Sequence, residues 1–187
     1  MVHDWNKLAI DILKVAEEKF GKRNPAKFNG LECWFTQTQP ELCGDSIEGY
    51  TIYLSESTLE SFPNLLFECS HELVHLLFPT TKEQVNFLEE GIATSFQFEM
   101  LDRYNFQPHV INAYKLTLND NPKYKKAYEL IQWIKPDYSI VIKQIREDYP
   151  DILLSDLTIE HLKKYPSIPK SIISDLLRKF NTDESSS

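Results

Sequence analysis

Apolar residues recur at spacings of three and four near the start of the chain and predict an amphipathic helix from His3 to Phe20. The repeating positions are Trp5, Leu8, Ile12, Val15, Ala16 and Phe20. Asp4 has the side chain of a helix N-cap, and Gly21 favours an end to the helix directly after Phe20. The sequence therefore predicts a first helix that packs one face against a core.

Two short segments rich in aromatic and β-branched residues predict strands. They are Leu31 to Gln37 (L-E-C-W-F-T-Q) and Tyr50 to Leu54 (Y-T-I-Y-L). The stretch between them, Pro40 to Gly49, contains proline and glycine and is predicted to form a turn. A small sheet is therefore expected directly before the next helix.

The stretch from Phe67 to Phe78 (F-E-C-S-H-E-L-V-H-L-L-F) is apolar around most of a helical wheel. One polar arc interrupts it and holds Glu68, His71, Glu72 and His75. A helix that is apolar almost all round is buried, and buried imidazoles and carboxylates are costly unless they are paired or coordinated. The pattern predicts a buried helix, beginning near Pro63 and Asn64, whose titratable groups need a partner.

A second long helix is predicted from Glu83 to Tyr104, with Thr80 or Thr81 as its cap. Prolines then divide the chain into further helical segments: Pro108 to Leu118, Pro122 to Ile134, Tyr138 to Tyr149, Ser155 to Tyr165 and Lys170 to Phe180. Within Ser155 to Tyr165, the helix is expected to begin at Asp156 or Thr158.

These elements predict an α+β protein with a single domain over residues 1–181. Residues 1–105 would hold the sheet and the two long helices, and residues 106–181 a helical lobe. The polar residues Thr182 to Ser187 are predicted to be a disordered tail.

Composition and charge narrow the class of protein. The chain has 187 residues, a formal net charge of −8 and a predicted pI of about 5.2, which argue against nucleic acid or an anionic membrane as partner. The sequence has neither an apolar run of about 18 residues nor a signal-type start. Three cysteines indicate free thiols in a reducing, cytoplasmic setting, with Cys69 in the core and Cys33 able to meet Cys43 across a hairpin.

His71 and His75 are four residues apart, so on a helix their imidazoles lie one above the other on the same face. This spacing places two nitrogen ligands where one metal ion can bind at about 2.0–2.1 Å from each. Glu72 lies roughly 100° round the helix from His71. It can therefore border the metal without binding it, which suits a general base that acts on a metal-bound water.

A third ligand is expected because catalytic zinc sites usually have three protein ligands and one water. The next helix offers Glu89 and Glu90. Glu90 shares its arc with small and polar residues, Asn86, Ala93, Thr94 and Gln97, and is adjacent to Gly91. Such a face can approach the metal-binding helix closely, so Glu90 is the predicted ligand. Glu89 is the alternative, and its ordinary role would be that of a surface carboxylate at a helix shoulder.

His71-Glu-Leu-Val-His75, followed by Phe87-Leu-Glu-Glu90-Gly-Ile-Ala93, resembles the gluzincin metallopeptidases, the clan of thermolysin and the zinc aminopeptidases. The resemblance covers the two long helices. It implies one zinc ion per chain, bound by His71, His75 and Glu90, with Glu72 as the catalytic base. It also implies a zincin-like fold, in which a small and mostly antiparallel sheet packs on the metal-binding helix and a helical C-terminal lobe follows.

The resemblance also raises expectations about supporting residues. Thr94 stands where thermolysin-like members carry an aspartate that orients a histidine ligand, so its hydroxyl is the expected substitute. The strand Tyr50 to Leu54 is expected at the cleft edge, where the family's strand pairs with the substrate backbone, unless it is an ordinary strand of the sheet. A donor to the reaction's oxyanion is expected among Tyr104, His109, Tyr114, Tyr124, Tyr128 and His161.

Three hypotheses about function follow. The first is a zinc-dependent peptidase that acts on a peptide or protein substrate. The second is a zinc-binding but catalytically inactive module that uses a peptidase scaffold to bind a partner. The third is a metal-free helical protein in which two core histidines bond to backbone carbonyls.

Overall fold

The structure, a computed structural model, describes residues 4–23, 27–33, 38–79 and 84–181. Its helices and strands, in chain order, are α1 Trp5–Phe20, β1 Phe28–Cys33, β2 Glu41–Asp45, β3 Gly49–Leu54, α2 Phe62–Leu77, α3 Phe87–Arg103, α4 Pro108–Thr117, α5 Pro122–Gln132, α6 Tyr138–Asp148, α7 Ile159–Leu162 and α8 Ile173–Leu177. The α+β class is confirmed, and helices predominate over the sheet.

The first helix is confirmed with its predicted ends. Asp4 Oδ1 accepts a hydrogen bond from the backbone N–H of Lys7 (3.1 Å), and Gly21 follows the last helical residue. Five apolar side chains of α1 are buried: Ala9, Ile12, Leu13, Ala16 and Phe20. The periodicity of this segment therefore identified a helix that contributes one face to the core.

The sheet differs from the prediction in composition and pairing. Glu41–Asp45 is a strand inside the stretch predicted to be a turn, and only 46–48 turn. The strand order is β1-β3-β2, with β1 parallel and β2 antiparallel to β3, so the sheet is mixed rather than mostly antiparallel. Gly44 and Gly49 have positive φ angles of 136° and 94°, and they pair across the hairpin with Tyr50 and Asp45, respectively. These glycines lower the apparent strand propensity, although the tight hairpin depends on them.

The prediction that Tyr50 to Leu54 forms the cleft edge is wrong. This segment belongs to β3, which is central and pairs with β1 on one side and with β2 on the other. Its backbone groups are therefore engaged within the sheet, and the edge strands are β1 and β2. Of the first predicted strand, Leu31 to Cys33 fall in β1, and residues 34–37 lie outside the described residues.

The sheet packs against α2 through β2 and β3, and α2 packs against α3. Ser61 caps α2 by accepting from the N–H of Asn64 (3.3 Å). Asn86 caps α3 by accepting from the N–H of Glu89 (3.0 Å), so α3 begins at Phe87 rather than at Glu83. The predicted caps Thr80 and Thr81 lie outside the described residues.

The helical lobe follows as predicted, but its last two helices are shorter. Within 155–165 only Ile159–Leu162 is α-helical, and Thr158 caps it. Within 170–180 a 3₁₀ turn precedes the five-residue α8. Prolines 166 and 169 lie between the two segments and prevent one continuous helix from forming across them.

The cysteines lie on the strands and in the core. Cys33 and Cys43 lie on β1 and β2, with β3 between them, and both are free thiols. Cys69 is a buried core residue, as predicted. Within the described part of the chain, no helix combines the length and the apolar character that crossing a membrane requires. The tail at 182–187 lies outside the described residues.

Gly91 permits α3 to lie close against α5. A Cβ at this position would be 2.4 Å from Ile131 Cγ1 and 2.5 Å from the carbonyl oxygen of Ala127. Real Cβ atoms do not approach other atoms this closely, so a larger residue would push the two helices apart. The neighbouring residue is Glu90, and the position of α3 therefore depends on this glycine.

We expect Gly91→Ala to lower the free energy of unfolding by about 1–3 kcal/mol, because overpacking outweighs the gain in helix propensity. Urea unfolding followed by circular dichroism measures this change. The control is Asn112→Ala, at an exposed position of α4. It should change the free energy of unfolding by only about a few tenths of a kcal/mol. Stabilisation by Gly91→Ala would contradict the close packing of α3 on α5.

Candidate metal centre

The packing of α2 on α3 brings His71, His75 and Glu90 together. His71 Nε2 and His75 Nε2 are 3.2 Å apart. Glu90 Oε2 lies 3.3 Å from His71 Nε2, and Glu90 Oε1 lies 3.6 Å from His75 Nε2. The three side chains offer one ligand atom each, and these atoms all lie within 4.8 Å of one another. The structure thus brings together the three residues predicted as ligands.

The separations between these atoms fit a small tetrahedral cation. Ligand atoms at about 2.0–2.1 Å from one tetrahedral centre lie about 3.3 Å from each other. The distance of 3.2 Å between the two Nε2 atoms and that of 3.3 Å between Glu90 Oε2 and His71 Nε2 match that value, while the contact of 3.6 Å to His75 Nε2 is made by the other carboxylate oxygen, Oε1. Two imidazole nitrogens and one carboxylate oxygen are also the donor set typical of zinc.

Both imidazoles are held at their other nitrogen. His71 Nδ1 is 3.1 Å from Gln97 Oε1, and His75 Nδ1 is 2.8 Å from Glu89 Oε1. An amide oxygen can only accept, so His71 Nδ1 donates, and the Glu89 carboxylate accepts from His75 Nδ1 in the same way. These bonds assign the proton of each neutral imidazole to Nδ1. They leave both Nε2 lone pairs directed at the shared space between the two rings.

Glu89 has a different place from the one expected for it. It is 0% exposed, so it is not a surface carboxylate at a helix shoulder. Burial raises its pKa, and the hydrogen bond with His75 opposes that change. Glu89 orients an imidazole from behind, whereas Glu90 faces the space between the two rings. Adjacent residues on α3 therefore point to opposite sides of His75.

Thr94 does not orient a histidine, contrary to the expectation from the resemblance. It is fully buried, and its hydroxyl has no hydrogen-bond partner among the described residues. Gln97 supplies the contact to His71 instead, because it lies one turn further along α3. The sequence placed Gln97 in the same polar arc as Glu90. Its contact with His71 could not be predicted, because it depends on the register between α3 and α2.

Glu72 lies beside the three predicted ligands and is only 6% exposed. Burial raises the pKa of Tyr124 and of Cys69, and the charge of Glu72 adds to the raised pKa of both residues and of His75. A buried carboxylate next to a cation site can accept a proton from water at that site. The site therefore contains a further buried carboxylate in addition to the three predicted ligands.

Among the candidate oxyanion donors, Tyr124 lies nearest the centre. Its ring centroid is 5.8 Å from that of His71, and burial, together with the Glu90 and Glu72 carboxylates, raises its pKa. The other candidates have partners elsewhere or face solvent: Tyr104 packs on Phe62, Tyr114 bonds to Asn64, Tyr128 packs on Phe98, His161 belongs to the cap of α7, and His109 is exposed. Position therefore separates Tyr124 from five residues of similar chemistry.

The local charge favours a cation. Burial lowers the pKa of His75, but the carboxylates of Glu90, Glu89 and Glu72 outweigh this effect and raise it to about 10. In the metal-free protein a proton therefore stays on His75 at neutral pH. A metal ion would take the place of that proton, since only the deprotonated Nε2 can be a ligand.

No protein-family profile, curated protein or solved structure matches this chain. The functional conclusion therefore depends on the geometry of these side chains.

We expect protein purified without a histidine tag to bind about one zinc ion per chain. Glu90→Ala and His75→Ala should abolish this binding, whereas Glu89→Gln should weaken it by about 10–100-fold, because an orienting contact is altered and no ligand is lost. Isothermal calorimetry and elemental analysis measure both effects, with the exposed Glu160→Gln as control. Equal zinc affinity in wild type and Glu90→Ala would exclude Glu90 as a ligand.

Zinc affinity should rise with pH between 6 and 9. The pKa of His75 is raised, so at these pH values binding must displace a proton, and about one proton per ion should be released. Calorimetric titration in buffers of different ionisation enthalpy counts that proton. A binding constant independent of pH over this range would show that His75 does not bind the ion through a deprotonated nitrogen.

Proposed function

We propose that this protein is a zinc-dependent peptidase of gluzincin type with a zincin-like fold. His71, His75 and Glu90 would hold the zinc ion, and the substrate would be a peptide or a protein. The observation that carries the proposal is the convergence of two Nε2 atoms and one carboxylate, with each imidazole held from behind and Glu72 alongside. Two core histidines without a metal would not need a buried carboxylate as a third group, yet Glu90 Oε2 lies 3.3 Å from His71 Nε2.

Zinc supplies Lewis acidity when bound, which polarises a carbonyl and acidifies water. Glu72 accepts the proton from the attacking water and delivers it to the nitrogen of the leaving amine. Its burial keeps bulk water away from the carboxylate, so the proton that it accepts is not lost to solvent. The ligand Glu90 cannot take this role, because its oxygens face the imidazole nitrogens.

Tyr124 is the proposed donor to the oxyanion that forms when the carbonyl is attacked. Its pKa is raised, so its hydroxyl keeps its proton throughout the neutral range and can donate it in a hydrogen bond. Its ring lies against His71, on the side of the centre that α5 forms. A neutral donor there can stabilise the negative charge that develops on the carbonyl oxygen, and it adds no positive charge that would neutralise Glu72.

The second candidate function is a zinc-binding module that does not catalyse hydrolysis. It is favoured by the burial of the site, since His71 and Glu90 are each 7% exposed. A centre this covered can stabilise a fold without admitting a substrate. Bound zinc together with no turnover of a broad peptide library would support this function over the first.

We expect Glu72→Gln to retain zinc and to lower the rate of peptide hydrolysis by about 10²–10⁴-fold, because the amide cannot accept a proton. Mass spectrometry of a peptide library incubated with the zinc-loaded protein measures hydrolysis, and elemental analysis confirms that zinc is retained. Glu68→Gln is the matched control. It changes a carboxylate one turn earlier on α2 that bonds to Ser55, so activity should stay near the wild-type value.

Equal activity of Glu72→Gln and wild type, with zinc bound in both, would exclude Glu72 as the base and remove the main support for the hydrolase proposal.

A further inference from the structure

The segment Arg178–Phe180, which follows α8, pairs with the residues just before α3. Phe87 N donates to the carbonyl of Arg178 (3.1 Å), and Phe180 N donates to the carbonyl of Val85 (2.8 Å). Asn86 and Lys179 form an antiparallel β-bridge between these two bonds. The segment is thus attached to the beginning of the helix that carries Glu89 and Glu90.

The same segment is attached to α5. Lys123 Nζ donates to the carbonyl oxygen of Phe180 (3.3 Å), and Lys123 is the neighbour of Tyr124. The Phe180 ring packs edge-on against Tyr124 with centroids 4.9 Å apart, and against Phe87 at 5.1 Å. Phe180 is only 5% exposed. One side chain therefore joins the beginning of α3 to the residue of α5 that lies nearest the metal centre.

The Tyr124 ring is consequently in contact with two other rings. Its centroid lies 5.8 Å from that of His71 and 4.9 Å from that of Phe180. Within the described residues the Tyr124 hydroxyl makes no hydrogen bond that would fix the ring. Packing alone therefore decides its rotamer, because a tyrosine side chain turns about two bonds and loses that freedom only against neighbours.

We propose that Phe180 is a positioning residue that holds the Tyr124 ring against His71 and keeps its hydroxyl beside the metal centre. The role of Tyr124 in hydrolysis rests on the proposed function, but the placement of its ring does not. Phe180 would thus act on the site although it lies about 90 residues after Glu90 along the chain. Phe180 touches no reacting group and acts only through Tyr124.

The placement can be measured without any activity. Protein labelled with 3-fluorotyrosine gives ¹⁹F resonances, and the one missing in Tyr124→Phe belongs to Tyr124. Cobalt(II) is paramagnetic and should shift that resonance strongly when it is added to wild type. In Phe180→Leu the cobalt-induced shift of this resonance should fall to less than about half, because the ring samples positions further from the ion.

Phe20→Leu is the matched control. Phe20 is also a buried phenylalanine in ring contact with other aromatic residues, Phe96 and Tyr138, but it lies away from the centre. Its replacement should leave the cobalt-induced shift of the Tyr124 resonance within about a tenth of the wild-type value. Lys123→Met is a second variant, which releases the Phe180 carbonyl without opening the core and should reduce the shift in the same direction.

Kinetics supply the second readout. If the protein hydrolyses peptides, Tyr124→Phe should lower kcat by about 10²–10³-fold, and Phe180→Leu should lower it by about tenfold with KM within twofold. Phe180→Tyr, which keeps the aromatic ring, should restore most of the kcat that Phe180→Leu loses. Phe20→Leu should leave both constants near their wild-type values.

The outcomes separate this inference from the proposed function. A cobalt-induced shift that is unchanged in both Phe180→Leu and Lys123→Met would overturn the positioning role, whether or not the protein is a peptidase. A reduced shift without any hydrolysis would support the positioning role and reject the peptidase. If cobalt(II) shifted no tyrosine resonance of the wild type, both the metal centre and this inference would fall.

Discussion

The burial of charge between α2 and α3 is the constraint on which the rest of the structure depends. His71, Glu72, Glu89 and Glu90 are each no more than 7% exposed. Three carboxylates face two imidazoles, so protons on both rings would still leave the group one negative charge in excess. A buried charge without a compensating partner lowers the stability of the fold by about several kcal/mol per ion. A divalent cation between two neutral rings compensates as much of this charge as protons on both rings would, and more than a single proton on one ring, and the proposed metal has this physical basis.

The same constraint explains the packing around the site. Ligands from two helices can reach one ion only if the helices approach closely, and α3 has the small residue Ala93 in the same arc as Glu90. The missing side chain at Gly91 lets α5 come against α3 as well. The close approach of α5 then places Tyr124 on His71. Backbone packing and the chemistry of the site are therefore decided by the same small residues.

Local patterns predicted much of this arrangement, and tertiary contacts account for what they did not predict. The wheel of α2 and the arc of Glu90 depend only on the helical period, so the sequence was sufficient to select His71, His75 and Glu90. The strand β2 was missed because its glycine, Gly44, has low strand propensity outside a hairpin. The roles of Glu89 and Gln97 depend on the register between α2 and α3, which no single segment encodes.

The two imidazoles are not equivalent, and the difference lies in the residues behind them. His75 donates to a buried carboxylate at 2.8 Å, whereas His71 donates to a neutral amide at 3.1 Å. A carboxylate acceptor draws the Nδ1 proton more strongly and makes the opposite nitrogen a better electron donor. In the proposed metal site, His75 would therefore be the stronger ligand of the pair. Tyr124 packs on the other imidazole, His71, so the proposed oxyanion donor lies beside the residue that would be the weaker of the two nitrogen ligands.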